Sequence, residues 1–333
     1  MKQFLILIRP YGMLFIGLTP VFGALANGES SPLNLIVLLI IGLLAHVFTF
    51  VQNDYYDIDI DRKSKYVANR PLSSGNITQK TVILIFISSL LASLILEIIF
   101  LFKTNAFLVL IIAFFCISLY NKYSKRFAGM EYILSIGVFF YGIFGALTVS
   151  NSISNFVLLV SLFAFLQWLF SVGVSANLKD VEFDTKQGIK TTPVLFGSHI
   201  EKKSLVLPLK FKAYAYTIKI THIFIAFLIF TFSYSTLESI SIQILGIIFS
   251  IISLILIYLT YKILTTTLKK REIMLKYIGV QEGLSFLILP ISMIGLLREI
   301  ISLPISILLV TVMIVWPLFW FRCLYGKTMI PLE

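Results

Sequence analysis

Residues Asn53 to Asn76 read NDYYDIDIDRKSKYVANRPLSSGN and follow directly on an apolar run, Leu33 to Val51. Four of the chain's sixteen acidic residues stand in this stretch, at Asp54, Asp57, Asp59 and Asp61. If the helix of the apolar run continues through them, Asp54, Asp57 and Asp61 share one face, Asn53 stands four before Asp57, and Asp59 points elsewhere. At about 6 Å and an effective dielectric of about 20, each like-charged pair on that face costs roughly 3 kcal/mol. A bound multivalent cation reverses the sign. Carboxylate oxygens with one amide oxygen are hard ligands, suited to Mg²⁺.

The rest of the chain says where this charge sits. Of 333 residues, 58% are hydrophobic and 13% are charged, against about 25% charged in soluble domains. The apolar residues come in long runs without strand-like alternation, which predicts an all-α polytopic membrane protein rather than a β-barrel. The runs fall at 11–27, 33–52, 82–102, 104–120, 132–150, 154–176, 220–236, 239–261 and 278–297, nine helices, with room for a tenth at 301–321. Ala24-Leu25-Ala26 resembles a signal-peptidase site, but the first ten residues are unlike a short basic leader, and a retained helix is expected. Cys116 and Cys323 lie far apart, with no metal-ligand or disulfide pattern.

The formal charge of +11 is better explained by topology than by nucleic acid. With the N-terminus inside and the helices alternating, the basic residues collect in the inner loops, including Lys202, Lys203 and Lys219 in 177–219 and Lys269, Lys270 and Lys276 in 262–277, and in the tail with Lys327. Only Lys103 and Arg298 of the 27 fall outside.

A second acidic stretch, NLKDVEFDTKQGIKTTPVLFG from Asn177 to Gly197, ends the sixth helix. Asp180 and Asp184 stand four apart on one face, and Glu182 points away as Asp59 does. Both stretches then carry a Pro, an aliphatic residue, two residues and a Gly: Pro71 to Gly75 and Pro193 to Gly197. This pattern reads as a diverged duplication within one membrane domain, with pseudo-repeats over about 5–125 and 130–262 and an extra C-terminal helix at about 301–321. Pseudo-symmetric halves would set the two clusters facing each other across one central cavity. A single cluster could be a solvated interfacial loop; two of equal spacing on one side of the membrane argue against that. Lys122, Lys125 and Arg126 stand near the same rim, where they either anchor topology or meet anions. His46 and His222 read as packed histidines, and Glu97 as an isolated intramembrane acid near the opposite side. Two carboxylate clusters with rim cations suit a diphosphate, bridged to the carboxylates by Mg²⁺.

Asn53-Asp54-x-x-Asp57-x-x-x-Asp61 and Asp180-x-x-x-Asp184, with Arg70-Pro71-Leu72, Arg9-Pro10 and the basic loop after Tyr120, resemble the motifs of the UbiA superfamily of intramembrane prenyltransferases. The resemblance covers about residues 5–300; it departs at Phe183, where relatives often have Gly, and at the tenth helix. It implies a Mg²⁺-dependent transfer of a polyprenyl group from an allylic prenyl diphosphate to a lipophilic acceptor, an aromatic quinone precursor or a prenylglycerol phosphate. It implies two ions, one on Asn53, Asp57 and Asp61 and one on Asp180 and Asp184, with Asp54 assisting. Arg70, Lys122, Lys125 and Lys190 are then the candidate diphosphate contacts. The active site is expected on the cytoplasmic side, in the plasma membrane if the source is a prokaryote. Two other classes compete. A cation-coupled transporter would use the acids as ion sites, but such sites usually lie near the midplane. A CDP-alcohol phosphotransferase would need an Asp-Gly followed by Ala-Arg between its acids, which is absent.

Overall fold

The structure, a computed structural model, describes residues 1–201, 204–234, 239–266 and 271–326, apart from the side chains of 239–241. Lys202, Lys203, Lys269, Lys270 and Lys327, counted above among the basic loop and tail residues, lie outside the described residues. Among the described residues ten helices are long and apolar enough to cross a membrane, the tenth being Leu303–Tyr325. The chain is an integral, multi-pass membrane protein. Its exposed surface carries the apolar side chains that lipid requires, among them Leu84, Phe115, Leu254 and, on the tenth helix, Ile305, Leu308 and Phe319.

The chain divides into two compact units. The first comprises Met1–Tyr123, Ile136–Ser161 and Val315–Glu333. It opens with α1 (Lys2–Ile8), a 3₁₀ turn (Pro10–Gly12) and α2 (Met13–Ala26), and continues with α3 (Pro32–Asp61), α4 (Gln79–Phe100) and α5 (Thr104–Tyr123). The α3 helix starts where the sequence says it should: Pro32 occupies the first turn, and the Ser31 hydroxyl accepts from the Asn34 amide at 3.5 Å. Its thirty residues extend about 45 Å, well beyond the ~30 Å hydrocarbon layer. The surplus is the acidic stretch, delivered as the last turns of a membrane helix. Helices α2, α4 and α5 pack on α3. Small residues permit the closest approaches: a Cβ added at Gly42 would overlap the backbone of Gly17, and one at Gly145 would overlap the Pro20 carbonyl.

The second unit comprises Ser124–Ser135 and Leu162–Ile314. Helices α6 (Met130–Val149) and α7 (Asn155–Phe170) each contribute residues to both units. The sixth apolar run does not stay α-helical to its end. It winds into a π-helical segment, Ser171–Ala176, before resuming as α8 (Asn177–Gln187). Gly188, at φ 68°, stops α8 in the left-handed conformation that favours glycine. A short α9 (Thr192–Leu195) and an antiparallel pair, β1 (His199–Glu201) with β2 (Ser204–Val206), follow; this small hairpin is the one departure from all-α among the described residues. Then come α10 (Leu209–Ser233), α11 (Ser239–Thr265), α12 (Arg271–Ile301) and α13 (Leu303–Tyr325). The hydropathy reading begins α10 at 220 and treats Lys219 as a loop cation; the helix in fact begins at Leu209, and Lys219 is buried inside it.

Candidate functional site

In the first unit α3 carries its acids as the spacing requires. Asp54, Asp57 and Asp61 are buried, Asn53 is half-buried and Asp59 is exposed. Two arginines meet this face. Arg9 Nη2 donates to Asp54 Oδ1 at 2.5 Å, and Arg70 Nη1 reaches Asp54 Oδ1 at 3.4 Å and Asp61 Oδ2 at 3.1 Å. The repulsion along the acidic face is therefore offset partly within the protein.

Local packing explains why both arginines arrive there. Leu72, two residues after Arg70, is buried in a cluster with Leu7, Val51, Ile58 and Val82. The backbone turns over the Pro71–Gly75 segment, with the Ser74 amide donating to the Arg70 carbonyl and Gly75 closing at φ 81°. Leu72 thus anchors the turn, and Arg70 is held over the carboxylates. Arg9 sits at the break between α1 and the 3₁₀ turn in a left-handed conformation, φ 48°. The break is held from both sides. His46 Nε2 lies 3.2 Å from the carbonyls of Ile8 and Arg9 and donates to them, and Trp316 Nε1 donates to the Pro10 carbonyl at 2.6 Å. The Arg9 guanidinium also lies 5.0 Å over the Phe50 ring. His46 is indeed a packed histidine, and its work is to fix the backbone that presents Arg9.

In the second unit Asp184 is fully buried. The Thr191 hydroxyl donates to its Oδ2 at 3.1 Å, while Oδ1 is buried with no hydrogen-bond partner. Lys125 and Asp180 are the charged groups whose fields reach it. Asp180 is half-buried; Arg271, at the start of α12, donates to its Oδ1 at 3.4 Å and to the Lys179 carbonyl. Next to Thr191, the Thr192 hydroxyl donates to the buried Glu131. Here too the residue before the proline contacts a carboxylate, and two of the backbone hydrogen bonds of the Pro71–Gly75 turn recur. Gly197 donates to Val194 and Phe196 to Thr192, as Gly75 does to Leu72 and Ser74 to Arg70.

Four of these partners escape sequence reasoning as site residues. Arg9 was visible only as half of an Arg-Pro pair. Arg271 reads as a loop cation, since its partner lies 91 positions away. Thr191 and Glu131 carry no signal in their local sequence. Of the expected phosphate contacts, Arg70 is on the acidic face and Lys125 is half-buried within the field of Asp184. Lys122 is exposed, its ammonium 5.3 Å from the Tyr123 ring, and Lys190 is exposed.

The donors fit Mg²⁺. Among the described residues no three carboxylate, imidazole or thiol side chains form a group that could hold an ion by themselves. Mg²⁺ needs no such group: it is bound through one or two carboxylates with the remaining positions filled by water and substrate phosphates. The buried Oδ1 of Asp184 is a hard oxygen with no other use in the fold.

Comparison with known proteins follows the same lines. The profile of the UbiA prenyltransferase family matches residues 14–218. A 4-hydroxybenzoate octaprenyltransferase of Actinobacillus pleuropneumoniae is 27% identical over 200 residues, which are 58% of this chain and 66% of that enzyme. The match therefore spans just under two thirds of the relative's length. A digeranylgeranylglyceryl phosphate synthase of Thermococcus sibiricus is 28% identical over 211 residues, 61% of this chain and 71% of that protein. Among solved structures, a UbiA homolog from Archaeoglobus fulgidus bound to DMAPP and Mg²⁺ aligns with a TM-score of 0.58 at 20% identity, covering 86% of this chain and 99% of that one. The apo structure of a UbiA homolog from Aeropyrum pernix K1 aligns with a TM-score of 0.65 at 16% identity, covering 87% and 98%. At these identities the structures speak for the fold, and the profile speaks for descent: the chain belongs to the UbiA prenyltransferase family.

Proposed function

We propose that this protein is a Mg²⁺-dependent intramembrane prenyltransferase, moving a polyprenyl group from an allylic prenyl diphosphate to a lipophilic acceptor and releasing diphosphate. The observation that carries this reading is the pair of helix ends bearing buried carboxylates, one of which, Asp184, keeps an oxygen with no hydrogen-bond donor. Asn53, Asp57 and Asp61 would hold one ion, with Asp54 assisting, and Asp180 and Asp184 the other. When bound, Mg²⁺ neutralises diphosphate oxygens and favours departure of the leaving group. The protein's own part is to fix those carboxylates, through Arg70 and Thr191, and to offer cations to the donor's phosphates, from Arg70, Lys122, Lys125 and Lys190. As the C1–O bond of the donor breaks, apolar surroundings exclude water that would quench the allylic cation, and the acceptor attacks C1. The acceptor is an aromatic quinone precursor or a prenylglycerol phosphate; the two relatives named above include one enzyme of each kind. The matching turns at Pro71 and Pro193 support a duplicated origin for the two acidic stretches. The segregation of basic residues supports an active site on the cytoplasmic side, which is the plasma membrane's inner face if the source is a prokaryote.

The test is turnover of purified, lipid-reconstituted protein with geranylgeranyl diphosphate and either 4-hydroxybenzoate or geranylgeranylglyceryl phosphate. D57A and D180A should each lower the rate roughly 100-fold or more, and chelation of Mg²⁺ should abolish it reversibly. Near-normal turnover in both variants refutes the assignment. Ion flux without any prenylated product would move the protein to the transporters.

A further inference from the structure

The second unit holds a buried polar cluster that the proposed chemistry does not use. Lys219 of α10 is 1% exposed. Its ammonium donates to Gln167 Oε1 at 3.3 Å and to Ser285 Oγ at 2.9 Å, and lies 4.2 Å over the Phe170 ring. Gln167 of α7 is fully buried and passes the contact on, its Nε2 donating to Glu282 Oε2 of α12 at 2.8 Å. Ser171, in the π segment, donates to the same oxygen. One amide thus links a buried cation to a half-buried carboxylate.

All three helices place the cluster at one depth. Glu282 is eleven residues into α12, about 16 Å from Arg271, and Lys219 is ten residues into α10, about 15 Å from Leu209. Gln167 is thirteen residues before Asp180, roughly 20 Å away. Each of the three stands near the middle of its candidate span, Lys219 in Leu209–Ser233, Glu282 in Arg271–Ile301 and Gln167 in Asn155–Gln187, well away from Asp180. Ionisable groups at that depth are costly to keep, and they mark function more often than packing.

If the cluster only glued helices together, its polar atoms would satisfy one another. Several do not. Both ring nitrogens of His222 are buried without a hydrogen-bond partner, and Glu282 Oε1 and Ser175 Oγ have none beyond each other. His222 is one turn from Lys219, within reach of its charge, and packs on the Phe163 ring at 4.2 Å. Ser175 stands close enough to Glu282 to act on it. These atoms offer both kinds of hydrogen-bonding capacity: a carboxylate oxygen that accepts, a hydroxyl that does either, and an imidazole with one donor and one acceptor. Lys219 and Glu282 together are neutral, so an ion of either sign would add net charge at the centre of the membrane. A hydroxyl is the smallest group on an organic ligand that is neutral and both donates and accepts. The surroundings suit an apolar body behind it: Phe163, Phe170, and the Trp168–Phe286 pair at 6.3 Å. Access is on the side of Glu282 and Ser171, which are half-buried while Gln167, Lys219 and His222 are not, and beside Glu282 a Cβ on Gly283 would meet nothing within 4 Å.

We propose that the Lys219–Gln167–Glu282 cluster, with Ser175 and His222, is a second binding site, at mid-membrane depth, for the hydroxyl of a neutral lipophilic alcohol or phenol. Glu282 accepts the ligand's O–H, and His222 or Ser175 donates to its oxygen. The site is independent of the prenyl-transfer reading.

The test is equilibrium binding to full-length protein in lipid nanodiscs, against empty nanodiscs. One arm uses 4-octylphenol and its methyl ether, the other farnesol and its methyl ether, so that phenolic and alcoholic ligands are told apart. The expected result is saturable binding of a hydroxyl probe at one per protein and none of its ether. Binding should fall about tenfold or more in E282M and in H222F, and persist in D57A and D180A. H222F removes no hydrogen bond within the protein, so its fold should be unharmed even if that of E282M is not. No saturable binding of either hydroxyl probe, equal binding of the ethers, or full binding by H222F overturns the proposal and leaves the cluster as hydrated packing.

Discussion

At the scale of single residues, the acidic face of α3 shows how a membrane protein keeps charge it needs. Asp54 is nearly inaccessible and is held by Arg9 from one side and Arg70 from the other. Removing one partner of a buried pair costs more than the pair itself contributes, because the remaining charge is left in a poor solvent. Arg9→Ala should therefore destabilise the purified protein by about 3 kcal/mol, moderated by Arg70. Arg9→Lys should recover only part, since the ammonium lacks the planar fork. Thermal unfolding in detergent measures both, and an unchanged midpoint for Arg9→Ala would show that the pair contributes nothing. The same face shows what a sequence can reveal. Burial of Asp54, Asp57 and Asp61 and exposure of Asp59 follow from helical spacing alone. The identity of their cationic partners does not, because Arg9 arrives from 45 residues away by way of a backbone break fixed by His46 and Trp316.

At the scale of elements, the π segment Ser171–Ala176 sets the direction of everything after it. An i→i+5 turn holds one residue more than an α turn, so it rotates the following helix by about 100° relative to an unbroken α-helix. In the register that follows, α8 reaches Arg271 with Asp180 and Thr191 with Asp184. Deleting Val172 should restore regular winding and turn both carboxylates off their partners. The expected result is loss of prenyl transfer by roughly 100-fold or more with helical circular dichroism retained; wild-type turnover would show that the register of α8 is immaterial. Hydropathy does not reveal the segment, since Ser171-Val-Gly-Val-Ser-Ala176 is as apolar as a regular span. For the same reason hydropathy starts α10 at 220. A buried Lys219 paired through Gln167 is indistinguishable, residue by residue, from a lysine in water.

At the scale of the whole molecule, ten spans among the described residues would put residues 1 and 326 on one side of the membrane, and the distribution of basic residues predicts the cytoplasmic side. In a background carrying Cys116→Ser and Cys323→Ser, the introduced thiol of Ser74→Cys should react with an impermeant maleimide only when the cytoplasmic face is opened. That of Ser152→Cys should react from the outside of intact cells; both positions are exposed. The opposite pattern would invert the orientation and place the acidic helix ends outside. The count of spans was legible to nine, and the tenth followed from length and hydropathy as soon as it was allowed. Its surface is mostly open to lipid, which is why it leaves so little trace beyond hydropathy.

The burial of Lys219 also constrains how the chain is made. A lysine at mid-span adds about 3 kcal/mol to the insertion of an isolated helix, and α10 leaves the ribosome well before the α12 that carries Glu282. During that interval Gln167 and Phe170, already synthesised on the preceding span, can shelter the ammonium. The order of synthesis thus favours packing of α10 on α7 before α12 is made, and the countercharge arrives last to close the assembly.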